Sequence, residues 1–420
     1  PAQPGNFATD VDTNGDLSLS GLMLIVGAPD GYSNKAGHVC HDPILTNGTF
    51  TGCNDTYLTK NYYIVAPGSD ITTTDAGGEW STETKSGTSF SAPHVTGALA
   101  ILKQAWPQLS SKQLVDLVLS TATDLGDEGV DDVYGVGMLN LDNATNPQGV
   151  SEVSSSNGSS NLSSTSMTTS SVVGDSLSSV SAFDSTMVVD SYNRDYYVNL
   201  NQAVSPIDSA LTLNHNFMSF SGTEQVNIDG YTIAINDRNL ENFALGYTHG
   251  SCGYVLGNLQ ESNTFLGTSG SGALSLGGSN TQHIGIDCKK DGITVRYNIG
   301  YSNITGSEGS IITNGKAMVD TWMLGYSTKH WQFEFGQPLA VRDGDLNLNV
   351  ASSVNTDGSH NYTDYKVDMD IDNRHTVSKI GYTNNFTDNV NFRVNVEYNN
   401  NYANTDSDSW SIATGVEYDF

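Results

Sequence analysis

One serine of this 420-residue chain stands in a setting suited to nucleophilic chemistry. Residues 87–97 read Gly-Thr-Ser-Phe-Ser-Ala-Pro-His-Val-Thr-Gly, and an apolar helical pattern follows the serine, Ser89. Gly87 permits a tight turn, and Pro93 is tolerated in a first helical turn. Exposed N–H groups and the positive end of the helix dipole would stabilise an oxyanion formed when Ser89 attacks a carbonyl. Because serine is also a favoured helix N-cap, a capping role is the alternative for Ser89.

Residues 87–97 resemble the serine signature of the subtilisin-like serine proteases, or subtilases, along its whole length. Residues 26–28 (Val-Gly-Ala), 66–68 (Ala-Pro-Gly) and 134–137 (Tyr-Gly-Val-Gly) resemble further segments of that family in the same order. The resemblance covers about residues 1–147. It implies a partial α/β domain with a parallel sheet and helices, protein or peptide substrates, and Ser89 as the catalytic nucleophile, whose own backbone N–H is one oxyanion donor.

The same resemblance implies partners for Ser89 that we do not find in the sequence. Subtilases carry their catalytic residues in the order Asp, His, Ser, with the histidine in a His-Gly-Thr context upstream of the serine. His38 and His41 lack that context, and His249 lies in a β segment far downstream. His94 follows Ser89 by five positions on the same helix, so it points away and is predicted to be a packing residue. None is expected to be the base, and the fragment alone is predicted to be inactive.

Two other candidates lie near the amino end. Asn6 precedes residues 26–28 by roughly the interval of the subtilase oxyanion asparagine, but no apolar strand precedes it, so we interpret that asparagine as absent. Residues Asp10–Asp16 place oxygen atoms at alternate positions, as the start of a calcium loop does, yet Gly21 stands at the twelfth position in place of a glutamate. A solvated acidic turn is the preferred interpretation, calcium is the alternative, and no cofactor is predicted.

The elements that would position Ser89 can be read from residues 1–147. Short apolar strands at 22–26 and 62–65 alternate with polar loops. A first helix is predicted from about Ser89 to Gln104, ending before Pro107, which cannot continue a helix. A second is predicted to begin at Ser110, with Gln113 completing a capping box. Its apolar stripe consists of Leu114, Val115, Leu117, Val118 and Ala122.

The composition changes abruptly after residue 147. Of the 23 residues in 149–171, 14 are Ser or Thr without apolar periodicity, so residues 148–195 are predicted to be a Ser/Thr-rich linker and connecting segment. From 196 to 420 apolar residues recur at every second position, most clearly in 293–301, 322–326, 331–335, 392–398 and 410–420. That period is typical of strands with one apolar face, which predicts an all-β, antiparallel, barrel-like domain.

Residues 190–196 (Asp-Ser-Tyr-Asn-Arg-Asp-Tyr), with 174–177 and 337–341, resemble the segment behind the protease in subtilase autotransporters. The closing strand, which ends on Phe420, resembles the outer-membrane barrel signal of Gram-negative bacteria. The resemblance implies an outer-membrane or extracellular location, with the outer membrane as the partner of residues 196–420. A soluble antiparallel sandwich or barrel with its apolar face turned inward is the alternative, because periodicity alone does not separate the two.

Composition limits the partners and the cellular compartment that the chain is expected to have. The formal charge of −29 repels phosphate backbones, so no nucleic-acid partner is expected. The four cysteines fall into two local pairs, Cys40/Cys53 and Cys252/Cys288, which predicts two disulfides in an oxidising compartment, with reduced buried thiols as the alternative. No run of 18 apolar residues is present, so no transmembrane helix is predicted. The start at Pro1 indicates a processed product or a partial sequence.

Two functions therefore remain in view. The first is a serine endopeptidase in which Ser89 attacks peptide carbonyls, with a histidine and an aspartate supplied from upstream. The second is a non-catalytic truncated module of the cell surface or of translocation, formed by a protease remnant and its β-domain.

Overall fold

The computed structural model describes residues 21–29, 43–47, 49–53, 58–74, 82–206, 209–213, 217, 224–236, 241–387 and 390–418. The chain divides into two compact units. The first unit comprises residues 1–149 together with 190–195 and 354–359. The second comprises residues 150–189, 196–353 and 360–420. His38, His41, Asn6, Asp10–Asp16 and Cys40 lie outside the described residues.

The strands of the first unit form three two-stranded sheets. The strands are β1 (Ile25–Gly27), β2 (Pro43–Thr46), β3 (Thr49–Cys53), β4 (Tyr63–Val65), β5 (Ile71–Thr74) and β6 (Thr82–Lys85). β1 and β4 pair in parallel, whereas β2–β3 and β5–β6 are antiparallel. β4 is buried, and Tyr63 and Val65 form a small core with Ile25, Leu125 and Met138 around it. Both strands that were predicted around the serine segment are confirmed, with shifted ends.

The first unit also contains the helices α1 (Thr88–Ala105), α2 (Ser111–Ser120) and α3 (Leu141–Thr145). The predicted capping box of α2 is confirmed: Gln113 N donates to Ser110 Oγ at 3.2 Å, and Ser110 N donates to Gln113 Oε1 at 2.9 Å. α1 ends where Trp106 N donates to Leu102 O, one residue before Pro107. No helix in the described part of the chain is long and apolar enough to cross a membrane.

Residues 150–189, which composition predicted to be part of a linker, form regular structure. The strands here are β7 (Glu152–Ser155), β8 (Gly158–Asn161), β9 (Ser166–Thr169) and β10 (Thr186–Val189). Val153, Met167, Val172 and Val173 are buried in the core of the second unit. Side-chain hydroxyl groups accept hydrogen bonds from backbone N–H groups of this polar segment. For example, Ser170 N donates to Thr268 Oγ1 at 3.0 Å. The apolar residues of this segment are irregularly spaced but buried in the core, so a search for periodicity in the sequence does not detect them.

The second unit continues with β11 (Asp195–Val198) and β12 (Val204–Pro206) and then with fourteen further strands. Two four-stranded sheets have the orders β11-β10-β7-β8 and β12-β9-β18-β17. The remaining strands are β13 (Glu224–Ile228), β14 (Tyr231–Asn236), β15 (Asn242–His249), β16 (Cys252–Ser262), β17 (Thr264–Phe265), β18 (Thr268–Ser271), β19 (Leu276–Lys290), β20 (Ile293–Gly306), β21 (Ile312–Ser327), β22 (Trp331–Val354), β23 (His360–Asp368), β24 (Thr376–Thr387), β25 (Val390–Asn400) and β26 (Ser409–Tyr418).

Twelve of these strands form one large antiparallel sheet in the order β13-β14-β15-β16-β19-β20-β21-β22-β24-β25-β26, with β23 paired to β22. The predicted antiparallel β-domain is therefore confirmed, and its strands contain the period-two segments named above as far as residue 418. The described strands do not close into a barrel. β13 and β26 lie at opposite ends of the hydrogen-bonded order and are not paired with each other. The long strands β16 and β19–β22 also bury residues such as Leu259, Ile304 and Val319 against the two smaller sheets.

One predicted disulfide lies in the large sheet. Cys252 of β16 and Cys288 of β19 are directly opposite each other and are joined by a disulfide. This confirms the second of the two predicted bonds. The pairing of Cys40 with Cys53 stays a prediction, because Cys40 lies outside the described residues.

Candidate nucleophile site

The backbone before α1 brings Ser89 to the start of the helix. Gly87 is the N-cap residue, with φ 154° and ψ 156°, and no side-chain cap bond forms there. Gly87 N donates to Gly68 O at 2.7 Å, which ties the start of the helix to the segment after β4. Ser89 is the second helical residue and is exposed. Since Gly87 occupies the cap position, the alternative role of Ser89 as the N-cap is not observed.

The first turn of α1 presents the electrostatics that the sequence predicts. Backbone N–H groups in a first turn have no acceptor within the helix, and the dipole places partial positive charge at that end. Within the described residues, the hydroxyl of Ser89 takes part in no hydrogen bond, so the oxygen is open to attack a carbonyl. The backbone N–H groups of the first turn and the hydroxyl of Ser89 thus lie on the same helical turn, an arrangement that could stabilise an oxyanion if Ser89 attacked a carbonyl.

A close backbone contact positions this turn. A Cβ atom on Gly68 would stand 2.3 Å from Ser91 Oγ and 2.7 Å from the Cβ of Ala28, so only glycine fits at position 68. Ser91 is fully buried. Three segments of the subtilase resemblance therefore meet at Gly68: residues 26–28, residues 66–68 and the serine motif. The sequence indicated only their order along the chain.

Residues 134–137, the last of the four segments of the subtilase resemblance, pack against β4. Val65 N donates to Gly137 O at 2.9 Å, and Val136 N donates to Tyr63 O at 2.9 Å. Gly135 has φ 63°, and a Cβ there would stand 2.4 Å from Tyr63 O. Burial raises the pKa of Tyr63 to about 12, so its phenol stays neutral at physiological pH. The fourth segment of the subtilase resemblance thus lies against β4.

The histidines of the described region are not arranged to serve Ser89. His94 was predicted to be a packing residue, but it is exposed, and its Nδ1 lies 2.8 Å from Phe90 O on the same helix. His249 belongs to the second unit, where its Nδ1 lies 3.5 Å from the hydroxyl of Tyr247. No hydrogen bond joins a histidine to Ser89 in the described ranges, which contain no group of three or more potential metal ligands.

The profile of the Subtilase family matches residues 22–137, which include all four segments. Residues 22–137 belong to the subtilase family. The chain is 41% identical over 92 residues to "Serotype-specific antigen 1" of Mannheimia haemolytica and 39% identical over 116 residues to an "Extracellular serine protease" of Serratia marcescens. It is 48% identical over 60 residues to the "Neisserial autotransporter lipoprotein NalP" of Neisseria meningitidis.

These alignments with subtilase relatives are partial. They cover 21%, 23% and 14% of this chain and 10%, 11% and 6% of the respective relatives. The chain thus matches about a tenth or less of the length of each of these proteins.

Sequence reasoning missed one feature of this site, the hydroxyl of Ser91. Ser91 Oγ is buried without a hydrogen-bond partner in the described part of the chain. The motif contains this serine, but nothing in the spacing of the sequence indicates that its oxygen faces Gly68. The contact makes the position sensitive to size, since a larger side chain would collide with the backbone of residue 68.

Replacement of Ser91 by alanine is expected to raise the stability of the first unit. A buried hydroxyl without a partner costs about 1–3 kcal/mol, and alanine removes that cost while it leaves only a small void. Hydrogen exchange of α1 measures the effect. The matched control is Thr121→Val, because Thr121 Oγ1 is also buried but donates to Leu117 O at 2.7 Å, so its loss should destabilise. Equal destabilisation by both variants would contradict the assignment.

Proposed function

We propose that this chain carries the nucleophile segment of a subtilase-type serine endopeptidase, with Ser89 as the catalytic serine. The observation that supports this proposal is the place of Ser89 on the first turn of α1, inside a segment of the subtilase family. Peptide bonds of proteins or peptides are the substrates that such a site serves. The relatives in Serratia and Neisseria, which are named as an extracellular protease and an autotransporter, support a location at the outer membrane or outside the cell.

The proposed reaction follows from the chemistry of an activated serine. An imidazole from the complementary part of the active site accepts the proton of Ser89 as its Oγ attacks the peptide carbonyl carbon. The tetrahedral oxyanion accepts hydrogen bonds from the backbone at the start of α1. The intermediate collapses to an acyl-enzyme as the amine leaves with that proton, and water then releases the acid. A carboxylate orients the imidazole, and both groups are proposed to come from residues upstream of the serine segment.

Labelling with a fluorophosphonate probe tests the proposal, because the probe reacts with an activated serine only. We expect labelling of Ser89 when an upstream subtilase segment with the histidine and aspartate is co-expressed with this chain. The alternative, a non-catalytic surface or translocation module, is favoured by the absence of a histidine bonded to Ser89 in the described ranges. No labelling under complementation would support that alternative, whereas labelling of the 420-residue chain alone would exclude it.

For residues 196–420 we propose an outer-membrane β-domain. The observation that supports it is the direction of the apolar face: in a soluble sandwich this face would be buried, but here it is exposed. The exposed fraction is 61% for Ile284, 70% for Val416 and 71% for Trp410. Apart from Tyr362 and Tyr365 of β23, the exposed apolar residues of the large sheet are Val226, Ile228, Tyr231, Ile233, Leu245, Tyr247, Tyr254, Leu256, Ile284, Ile293, Val295, Tyr301, Leu324, Tyr326, Trp331, Phe333, Phe335, Ile380, Val396, Tyr398, Trp410, Ile412 and Val416.

The strand register places these residues on one face. Ile233 pairs with Leu245, Leu245 with Leu256, and Leu256 with Ile284 along one row of neighbouring strands. Further along the sheet, Ile380 pairs with Val396, which pairs with Ile412. Side chains directly opposite each other share a face, so the rows form a continuous apolar surface. Such a surface is costly in water and stable against hydrocarbon chains.

The opposite face carries the charges. Arg296 pairs with Asp287 at 2.8 Å, Lys379 with Glu334 at 4.0 Å, and Arg393 with Glu417 at 3.9 Å. Arg296 follows Val295, Lys379 precedes Ile380 and Glu417 follows Val416 along their strands, so these charges point away from the apolar face. A sheet with one apolar face and one ionic face suits a bilayer when it closes around a wet interior.

A charge on the apolar face is expected to impair membrane insertion. Val396→Arg should cost about 2–4 kcal/mol if Val396 faces lipid near the midplane, and it should abolish the heat-modifiable band of the folded form on detergent gels. The neighbouring residue Asn395 points to the ionic face, so Asn395→Arg is the matched control and should keep that band. Equal loss from both variants, or no heat-modifiable band in the unsubstituted chain, would count against the membrane domain.

A further inference from the structure

We propose that residues 190–195, named here the clasp, hold residues 1–149 in a non-covalent complex with the rest of the chain. The chain leaves the first unit after Gly149, forms β7 to β10 in the second unit, and returns to the first unit for 190–195 and later for 354–359, whose Gly358 O accepts from Asn193 Nδ2 of the clasp at 2.8 Å. The six residues are therefore separated from their binding surface by 40 residues of the second unit. The clasp behaves as a peptide ligand that is connected through the chain.

The binding surface is a set of backbone acceptors at the carboxyl end of the first segment. Arg194 is fully buried and donates from Nη1 to Ala144 O at 2.5 Å and from Nη2 to Asn146 O at 2.9 Å. These carbonyls belong to the last turn of α3 and to the residue after it, where the negative end of a helix dipole favours a cation. The guanidinium lies 4.7 Å from the ring centre of Trp106, a further favourable contact for a cation.

The charge of Arg194 is compensated within the clasp. Asp190, whose side chain is also fully buried, accepts from Arg194 Nη2 at 2.6 Å and from Nε at 2.9 Å. The same carboxylate accepts from Gln148 N at 3.0 Å and from Tyr192 N at 2.9 Å. Because every oxygen and most N–H groups of the pair have partners, the buried charges are tolerated.

Outer contacts complete the interface. Gln108 Nε2 donates to Asn193 O at 2.9 Å, and Ser191 N donates to Gln148 O at 3.0 Å. The Tyr192 hydroxyl lies 3.4 Å from Ser120 Oγ. The clasp thus contacts the end of α2, the segment between α1 and α2, and the residues after α3. Contacts this numerous, which include a buried bidentate pair, are those of a specific docking site.

The consequence concerns cleavage of the connection between Gly149 and Val150, where Val150 is 54% exposed. A single cut there separates the serine segment from the rest of the covalent chain. Because the clasp stays on the other fragment and remains bound to the first, the cut should not release the serine segment. The protein would then persist as a two-fragment complex.

The experiment uses the full chain with the recognition sequence of a site-specific protease inserted between Gly149 and Val150. After complete cleavage in mild detergent, we expect both fragments to elute together in size-exclusion chromatography. In Arg194→Ala the fragments should separate, and in Gln108→Ala, which removes one outer bond, the dissociation rate should rise several-fold. Lys366→Gln, which breaks an exposed ion pair with Asp345, is the control and should behave as the unsubstituted chain.

Separation of the fragments in the unsubstituted chain would overturn the proposal. Co-elution in Arg194→Ala that is as stable as in the unsubstituted chain would overturn it as well, because other contacts would then hold the fragments together. If Arg194→Ala fails to fold before cleavage, the dissociation rate of Gln108→Ala decides the matter, and a rate equal to that of Lys366→Gln counts against the clasp.

Discussion

Substitution of Ser89 by alanine is expected to abolish peptide hydrolysis by the complemented protein. Loss of the catalytic serine of subtilisin, a relative of this segment, reduces kcat by about 10⁶-fold, and a loss of that order is expected here. The reason is that no other hydroxyl lies at the same place on the first turn of α1: Thr88 precedes it, and Ser91 is buried. Hydrolysis of a fluorogenic peptide by the complemented protein measures the effect.

The control for Ser89→Ala is Thr96→Ala. Thr96 is an exposed hydroxyl on the same helix whose Oγ1 donates to Ala92 O at 3.0 Å, so its loss removes a hydroxyl from α1 without touching the first turn. Activity close to that of the unsubstituted protein is expected. Hydrolysis that persists in Ser89→Ala at more than about a thousandth of the original kcat would exclude Ser89 as the nucleophile, since oxyanion stabilisation and binding alone leave a far smaller residue of activity.

Substitution of Arg194 by alanine is expected to be the most destabilising change in the first unit. Removal of one partner from a buried ion pair costs about 3–5 kcal/mol, because the other charge stays buried without compensation. Asp190 would be that charge, and the carbonyls of Ala144 and Asn146 would lose their donors. The free energy of opening, measured by hydrogen exchange of residues 141–149, should fall by this amount.

Two further variants serve as comparisons for Arg194→Ala. Arg194→Lys keeps the charge but lacks the planar fork that reaches two carbonyls and the carboxylate together, so an intermediate loss is expected. Lys112→Gln breaks the exposed pair between Lys112 and Asp116, 3.1 Å apart, and should change stability by less than about 1 kcal/mol. An equal effect of Arg194→Ala and Lys112→Gln would show that the buried pair does not stabilise the unit.

The first two helices and the strands with period-two patterns could be predicted from the sequence because their signals are local. The Ser110 capping box and Pro107 set the ends of two helices, and the described part of each period-two run lies within one strand. The place of Ser89 followed from a motif that is contiguous in the chain. These features need no knowledge of distant residues.

The features that escaped prediction depend on contacts between distant residues. The strands β7 to β10 are rich in Ser and Thr. Their few apolar residues can be recognised as core residues only from their packing with distant partners such as Leu259 and Ile304. Likewise, the hydroxyl of Ser91 faces Gly68, and Arg194 reaches carbonyls that lie 50 and 48 positions earlier in the chain. Composition and periodicity describe neighbours along the chain and do not identify such pairs.

The disulfide between Cys252 and Cys288 provides a chemical record of strand alignment. The two cysteines are 36 positions apart and stand directly opposite each other on β16 and β19. A shift of the ladder by one residue would turn one sulfur to the other face of the sheet, so among paired alignments of β16 and β19 only the native one accommodates the bond. In a chain whose Cys40 and Cys53 are replaced by serine, mobility on a non-reducing gel therefore reports how many molecules have locked β16 and β19 together.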